Sequence, residues 1–163
     1  MSRLYILLMV MVVMLGAFFV GQEALAKVLT GTAGDDTLVG TDRNDRFTGL
    51  RGSDRLTGRD GEDRLKGSRG NDRLKGSRGA DHLWGSRGND HLWGSRGNDK
   101  IVPGEGDDKV YAGAGADLIY ARDTEGVDYI DCGPGFDKVE TIHRDDETLS
   151  NCERTLGPRQ GHI

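Results

Sequence analysis

Aspartate returns at a fixed interval along most of this chain, and carboxylates at such a spacing could do chemistry together. One aspartate fills the sixth place of each of twelve nine-residue units. They are Asp36, Asp45, Asp54, Asp63, Asp72, Asp81, Asp90, Asp99, Asp108, Asp117, Asp128 and Asp137. Carboxylate oxygens are the preferred ligands of hard divalent cations, so each of these residues is a candidate metal ligand.

The units that carry the aspartates share two further positions. The fourth place is glycine in every unit except the second, where Arg43 stands. The eighth place is always apolar: Leu38, Phe47, Leu56, Leu65, Leu74, Leu83, Leu92, Ile101, Val110, Ile119, Ile130 and Val139. The frame begins at Gly31 and is broken by a two-residue insertion around Arg122 to Thr124. A short fixed period predicts a solenoid in which units stack on one another.

The period of nine is neither that of a helix nor that of a long alternating strand. We predict a short strand over places seven to nine, with place eight inward and its neighbours outward. Places one to six, rich in glycine, aspartate and asparagine, are predicted to form the turn. Two units then make one 18-residue coil, and the coils stack into two parallel sheets. The predicted fold is all-β, a parallel β-solenoid of about six coils.

This stacking places like charges in columns, with neighbouring aspartates one strand spacing apart, about 4.8 Å. Such columns are destabilising by themselves, and one apolar side chain per unit is a small core. A cation that neutralises the carboxylates would remove the conflict. Ca²⁺ accepts six to eight oxygens in flexible geometry, whereas Mg²⁺ prefers a small octahedral site and Zn²⁺ prefers His or Cys. The sequence therefore predicts bound Ca²⁺ as the cofactor.

The most regular stretch, Gly67 to Val102, reads GSRGNDRLK, GSRGADHLW, GSRGNDHLW and GSRGNDKIV. These units resemble the RTX, or haemolysin-type, calcium-binding nonapeptide, GGxGxDxUx, where U is a large aliphatic residue. The resemblance covers Gly31 to Glu140 and implies a parallel β-roll. It also implies that the twelve aspartates are calcium ligands shared between coils, with turn carbonyls completing each site.

The chain departs from the RTX pattern in two ways that bear on the sites. The first eight units have glycine at place one but Thr, Ser, Leu or Arg at place two. Arg43 replaces the turn glycine of the second unit, which predicts a weaker site around Asp45.

The N-terminal segment differs in composition from the repeats. Residues 1–26 combine Arg3, an apolar run and Ala24-Leu25-Ala26, which is the pattern of a secretory signal peptide cleaved after Ala26. An N-terminal membrane anchor is the alternative, since the apolar run approaches the length of a membrane span. We expect residues 27–140 to be the roll, residues 141–163 to be a C-terminal cap and tail, and the protein to be secreted.

The two cysteines, Cys132 and Cys152, allow one pairing, and an exported chain permits a disulfide. Their context, CGPGFD and NCE, resembles that of short exported calcium-binding repeat proteins that end in CGPGxD…NCE. The resemblance implies a disulfide-closed cap on the last coil.

The remaining features bear on partners. No catalytic motif is present, and the slight excess of carboxylates gives no strong case for nucleic acid. Outward places carry Arg, Lys, His, Trp and Tyr, which are either solvated or form ladders for an anionic cell-surface polysaccharide, as in an adhesin. His82 and His91, like Trp84 and Trp93, are predicted to lie on opposite sheets. Ice binding is a weaker alternative, because the outward turn residue is mostly Arg. We expect the protein to be a monomer with no membrane span after cleavage of the signal peptide.

Overall fold

The computed structural model describes residues 25–122, 126–141 and 147–156, and these form a parallel β-solenoid of about six turns. All regular elements in this part of the chain are strands. They are β1 (Val28–Thr30), β2 (Thr37–Val39), β3 (Arg46–Arg51), β4 (Arg55–Asp60), β5 (Arg64–Arg69), β6 (Arg73–Arg78), β7 (His82–Arg87), β8 (His91–Arg96), β9 (Lys100–Glu105), β10 (Lys109–Ala114), β11 (Leu118–Ala121), β12 (Asp128–Asp131), β13 (Lys138–Thr141), β14 (Glu147–Ser150) and β15 (Glu153–Leu156).

The strands alternate between two sheets, which confirms the predicted fold. The odd-numbered strands form an eight-stranded sheet and the even-numbered strands a seven-stranded sheet, with every neighbour parallel. Partners are 18 residues apart, as in Leu65 and Leu83. In the strand pairs that span the insertion the offset is 20, as in Ile119 and Val139. The extra two residues therefore lie between strands β11 and β12, where the prediction placed them.

The core is a single layer between the sheets. The eighth-place residues from Phe47 to Val139 are at most 1% exposed, and each stacks on its equivalents in the neighbouring coils. Ala112, Ala121 and Cys132 join the same layer. Because each unit buries one large apolar side chain, the hydrophobic stabilisation is spread evenly along the roll.

The strands are longer than predicted, and the prediction that places one to six form a turn is wrong for places one to three. A complete strand such as β4 continues through place three of the next unit. Place one also faces inward, because Gly58 and Ala112 are buried. Places one and eight both face inward, but place one is mostly glycine, which has no apolar side chain. The pattern of apolar residues in the sequence therefore revealed only place eight.

In strands β3 to β8, the residue at place two has an unusual backbone conformation. Leu50 and Arg59 have φ of 89° and 95°, and the serines that follow behave alike. Those serines are Ser68 (101°), Ser77 (101°), Ser86 (98°) and Ser95 (91°). Residues with a side chain rarely adopt such φ values, and each instance costs about 1–3 kcal/mol. The RTX pattern has glycine here, so the sequence departure coincides with backbone strain.

Place four needs glycine for two reasons in the central units. Gly79 has φ of 120°, and a Cβ added there would lie 1.8 Å from the carbonyl oxygen of Gly61 in the preceding coil. The first two units differ, because the backbone at Gly34 and Arg43 does not enter the positive-φ region. Arg43 is therefore accommodated by a different turn.

The C-terminal end carries the expected disulfide, in which the Cα atoms of Cys132 and Cys152 lie 5.3 Å apart. It joins the stretch after β12 to the turn between β14 and β15, which supports a cap over the last coil. Most of the predicted signal peptide lies outside the described residues. Within the described ranges, no helix has the length and apolarity to cross a membrane.

Relief of the strain at place two gives a first prediction. Ser68→Gly should raise the free energy of unfolding of the folded roll by about 1 kcal/mol, because glycine adopts φ near 100° without a steric penalty. Part of the gain is lost to the greater entropy of glycine in the unfolded chain. Urea unfolding in calcium, followed by circular dichroism, measures the change.

Ser53→Gly is the matched control, because Ser53 is exposed and has no positive φ. There the substitution brings only the entropic cost and should destabilise by about 0.5–1 kcal/mol. Equal effects of the two substitutions would contradict the assignment of strain to place two.

Candidate metal centre

The sixth-place aspartates form two columns along the edges of the roll. One column holds Asp36, Asp54, Asp72, Asp90, Asp108 and Asp128, and the other holds Asp45, Asp63, Asp81, Asp99, Asp117 and Asp137. All except Asp36 are 3% exposed or less. The columns follow from the sequence, because the strands that flank each turn are held in an 18-residue register.

One oxygen of each buried carboxylate joins consecutive coils. The backbone N–H of Asp72 donates to Oδ1 of Asp90 at 2.7 Å, and that of Asp63 donates to Oδ1 of Asp81 at 2.8 Å. The same bond recurs along both columns. Each aspartate therefore links two coils, since its backbone lies in one coil and its side chain accepts a hydrogen bond from the preceding coil.

The other oxygen has no hydrogen-bond partner. This holds for Oδ2 of Asp54, Asp63, Asp72, Asp81, Asp90, Asp99, Asp117 and Asp137, all of which are buried. A buried charged oxygen without a partner is costly, and native proteins rarely leave one without a ligand.

Glycine at place one makes room for this unpartnered oxygen. A Cβ added at Gly85 would lie 2.3 Å from Oδ2 of Asp90 and 2.4 Å from the carbonyl oxygen of Pro103 in the next coil. A Cβ added at Gly94 would lie 2.2 Å from Oδ2 of Asp99 and 2.4 Å from the carbonyl oxygen of Ala112. A carboxylate oxygen and a main-chain carbonyl oxygen therefore converge in a space that a side chain would fill.

Burial strongly perturbs the titration of these aspartates. It raises the pKa of Asp81 and Asp90 from 3.8 to about 7. The same cause raises the pKa of Asp63, Asp72, Asp99 and Asp117 to about 6. Withdrawal from water disfavours the charged form, and the N–H bond to Oδ1 offsets this only in part. In the absence of a cation, the fold thus holds these carboxylates under electrostatic stress.

The first aspartate of each column differs from the rest. Oδ2 of Asp36 accepts from the backbone N–H of Thr32 at 2.6 Å and from its hydroxyl at 3.1 Å. Oδ2 of Asp45 accepts in the same way from Thr41, at 2.5 Å and 3.1 Å. Threonine at place two therefore supplies the donors that the later aspartates lack. Of the twelve predicted ligands, these two have the least need of a cation.

A second ladder of hydrogen bonds lies at place five, and the sequence reasoning missed it. Oδ1 of Asn71 accepts the backbone N–H of Asn89 at 2.9 Å, and Oδ1 of Asn98 accepts that of Ala116 at 2.9 Å. Asp35, Asn44, Asn89 and Asp107 make the same bond. The preference for asparagine or aspartate beside the invariant aspartate was the available signal. These side chains secure the outer edge of each turn.

A calcium ion fits this donor set. Nowhere among the described residues do three His, Cys, Asp or Glu side chains gather into one cluster, so a site made of side chains alone is not formed there. The available oxygens are a carboxylate in each unit and the carbonyls of glycine-rich turns, which is the hard, mixed set that Ca²⁺ binds. Bound calcium would supply the positive charge that the unpartnered Oδ2 atoms lack.

The outer surface is arranged as predicted. Places seven and nine point outward, and His82 and Trp84 lie on the eight-stranded sheet, whereas His91 and Trp93 lie on the other. Trp93 stacks on Tyr111, with ring centroids 6.1 Å apart and planes 8° apart. The outer surface thus carries ordered aromatic columns that the core does not need.

The stacked coils, the carboxylate columns and the glycine turns define a cation-binding β-solenoid. The RTX calcium-binding nonapeptide repeat matches residues 30–65, 39–74, 66–101, 93–123 and 102–139. The chain belongs to this family, whose repeats bind Ca²⁺. No individual curated protein matches the chain.

The raised pKa values predict that acid stabilises the calcium-free roll. Protons bind the folded state more tightly than the unfolded chain, so this stability is complete below about pH 4 and is lost as pH rises through 6 to 7. In calcium-free buffer, the β signal in circular dichroism should be larger at pH 4.5 than at pH 7.5.

Asp90→Asn should flatten this pH profile, because it removes one group whose pKa is about 7. Asp60→Asn is the control, since Asp60 lies outside the columns and pairs with Arg78 near the surface. A calcium-free roll that is equally folded at both pH values would contradict the assigned shifts.

The two kinds of aspartate predict different calcium stoichiometries. Asp90→Asn should reduce the number of bound Ca²⁺ ions in isothermal titration calorimetry, because it replaces an unpartnered carboxylate oxygen. Asp45→Asn should leave that number unchanged, because Thr41 already satisfies its Oδ2. An equal loss of ions in both variants would show that the threonine-closed aspartate is also a ligand.

Proposed function

We propose that the protein is an exported β-roll that folds by binding Ca²⁺ in its stacked turns. The observation that carries this proposal is the column of buried carboxylate oxygens without hydrogen-bond partners. A ligand that binds only the folded state stabilises it by mass action. Calcium is that ligand, because the repeats belong to a calcium-binding family and supply oxygens alone.

The balance of charge and core supports coupling between binding and folding. Each coil adds two buried carboxylates and two large apolar side chains, as in Asp72 and Asp81 with Leu74 and Leu83. Without a cation, each added coil also brings uncompensated negative charge next to that of the coil before. Bound calcium converts this electrostatic repulsion into attraction. The free energy gained by adding a coil therefore depends on the ion.

Two features support export. The N-terminal segment has the composition of a secretory signal peptide, with cleavage expected after Ala26. The disulfide between Cys132 and Cys152 suits an oxidising compartment. Outside the cell the chain would meet calcium at concentrations that fill low-affinity sites, and there it would fold. We assign it no enzymatic activity.

The test is a calcium titration of the mature chain, from residue 27 onward, at pH 7.5. Circular dichroism should change from a coil spectrum to a β spectrum as Ca²⁺ rises to millimolar concentration, and chelation should reverse the change. Mg²⁺ at equal concentration should give a much smaller change, because its octahedral geometry does not suit the turns. Identical spectra in chelator and in calcium would refute the proposal.

A second candidate function is calcium-dependent binding of an anionic polysaccharide at the outer faces, as in an adhesin. It is favoured by the basic and aromatic columns at places seven and nine. Retention of the calcium-loaded chain on an immobilised acidic polysaccharide, with elution by chelator, tests it. Retention that is equal with and without calcium would count against it.

A further inference from the structure

The roll carries the same groove twice, once on each face. On the seven-stranded sheet a groove of about 370 Å³ is lined by Arg55, Thr57, Arg73, Lys75, Trp93 and Ser95. On the eight-stranded sheet a groove of about 360 Å³ is lined by Arg46, Thr48, Arg64, Lys66, Trp84 and Ser86. Each residue of the first set stands nine places after its counterpart in the second. The two grooves are thus one site repeated by the symmetry of the solenoid.

Each groove crosses three neighbouring strands and therefore runs along the axis of the roll. On the seven-stranded sheet these strands are β4, β6 and β8. Equivalent side chains in adjacent strands are about 4.8 Å apart. An extended polymer whose charged units recur at a short interval can follow such a row, whereas a small anion would use only part of it.

The cations in the grooves are exposed, and no carboxylate of the described residues pairs with Arg55, Arg73 or Lys75. The surrounding surface is predominantly basic. Residues 46–102 contain 13 Lys and Arg, and the only acidic residues there outside the buried columns are Asp60 and Glu62. The acidic formal charge of the chain, -5, therefore conceals a basic exterior once calcium neutralises the interior.

A tryptophan forms one wall of each groove. Register places Trp93 between Lys75 and Tyr111, and its ring lies parallel to that of Tyr111. The tyrosine thus stacks on one side of the indole, and Lys75, which lines the groove with it, lies on the neighbouring strand on the other side. An aromatic face beside guanidinium and ammonium groups suits a sugar acid, whose C–H face packs on the ring while its carboxylate or sulfate pairs with the cations.

The arrangement favours a polysaccharide over a single-stranded nucleic acid. Nucleic acid needs several aromatic faces on which successive bases can stack. Each groove offers one, since Tyr111, the next ring in the column of Trp93, is already stacked against it, and Val102 follows Trp84 in the other column. The expected secretion of the protein also places it among cell-surface glycans.

We propose that each groove binds one chain of an anionic polysaccharide, so that a single folded roll bridges two chains. The proposal rests on the calcium-folded roll and specifies the second candidate function above. The two sheets enclose a single core layer and face in opposite directions. Two polymer chains can therefore occupy the grooves at once without contact between them.

The experiment compares binding with bridging for the calcium-loaded mature chain, whose fold is first verified by circular dichroism. Hyaluronan and dextran sulfate are the carboxylated and sulfated probes, and neutral dextran is the control polymer. Isothermal titration calorimetry reports binding, because the variants below lose one or both tryptophans, and light scattering reports bridging, with each polymer in calcium alone as the blank. We expect binding and a rise in scattering with an acidic polymer, and neither with dextran.

Two matched double variants separate the grooves. Lys75→Ala with Trp93→Ala removes one, and Lys66→Ala with Trp84→Ala removes the other. Each variant should bind half as much polymer and lose the scattering increase. The variant with all four substitutions should bind the polymer at least about ten-fold more weakly, because aromatic and cationic anchors dominate such contacts.

Several results would overturn the proposal. They are undiminished bridging by a variant with one groove, equal binding of neutral dextran, tighter binding of single-stranded DNA, and self-association of the roll without polymer. A chain that folds in calcium but binds no polymer refutes the grooves and leaves calcium-driven folding intact. If the chain is folded equally with and without calcium, the proposed function is refuted, and the grooves are then tested on that folded chain.

Discussion

The structure depends on one constraint, which is the burial of a carboxylate in most units after the first two with only one of its oxygens satisfied inside the protein. Oδ1 of each central aspartate bonds to the preceding coil, whereas Oδ2 of aspartates such as Asp90 and Asp99 lies in a space that the glycine at place one leaves open. The first interaction stacks the coils, and the second leaves a buried carboxylate oxygen that a cation would satisfy. The same side chain therefore joins two coils and offers an oxygen to a cation.

Most of this fold could be predicted from the sequence, because glycine, aspartate and an aliphatic residue recur at fixed places. The pairing of coils, the inward column from Phe47 to Val139 and the site of the insertion all follow from that period. The extent of the strands did not follow, because glycine at place one hides a buried position. The donors that Thr32 and Thr41 give to the first aspartates were also hidden, since they depend on a local backbone path.

The two ends of the roll are closed by different means. At the N-terminal end, the hydroxyls and amides of Thr32 and Thr41 satisfy Oδ2 of Asp36 and Asp45. At the C-terminal end, the disulfide joins Cys132 to Cys152. Terminal units of a solenoid lack one neighbour, so each end needs an interaction that the interior units do not. Most units with unpartnered carboxylate oxygens thus lie between one end held by threonine hydrogen bonds and one end held by a disulfide.

The equivalence of positions nine residues apart has a consequence for how such a chain can change in length. Duplication of a single unit adds half a coil and transfers every later strand to the opposite sheet. In most proteins that exchange would ruin the surface, but here the two faces around Trp84 and Trp93 carry the same side chains. After such an exchange both faces therefore still carry basic and aromatic side chains.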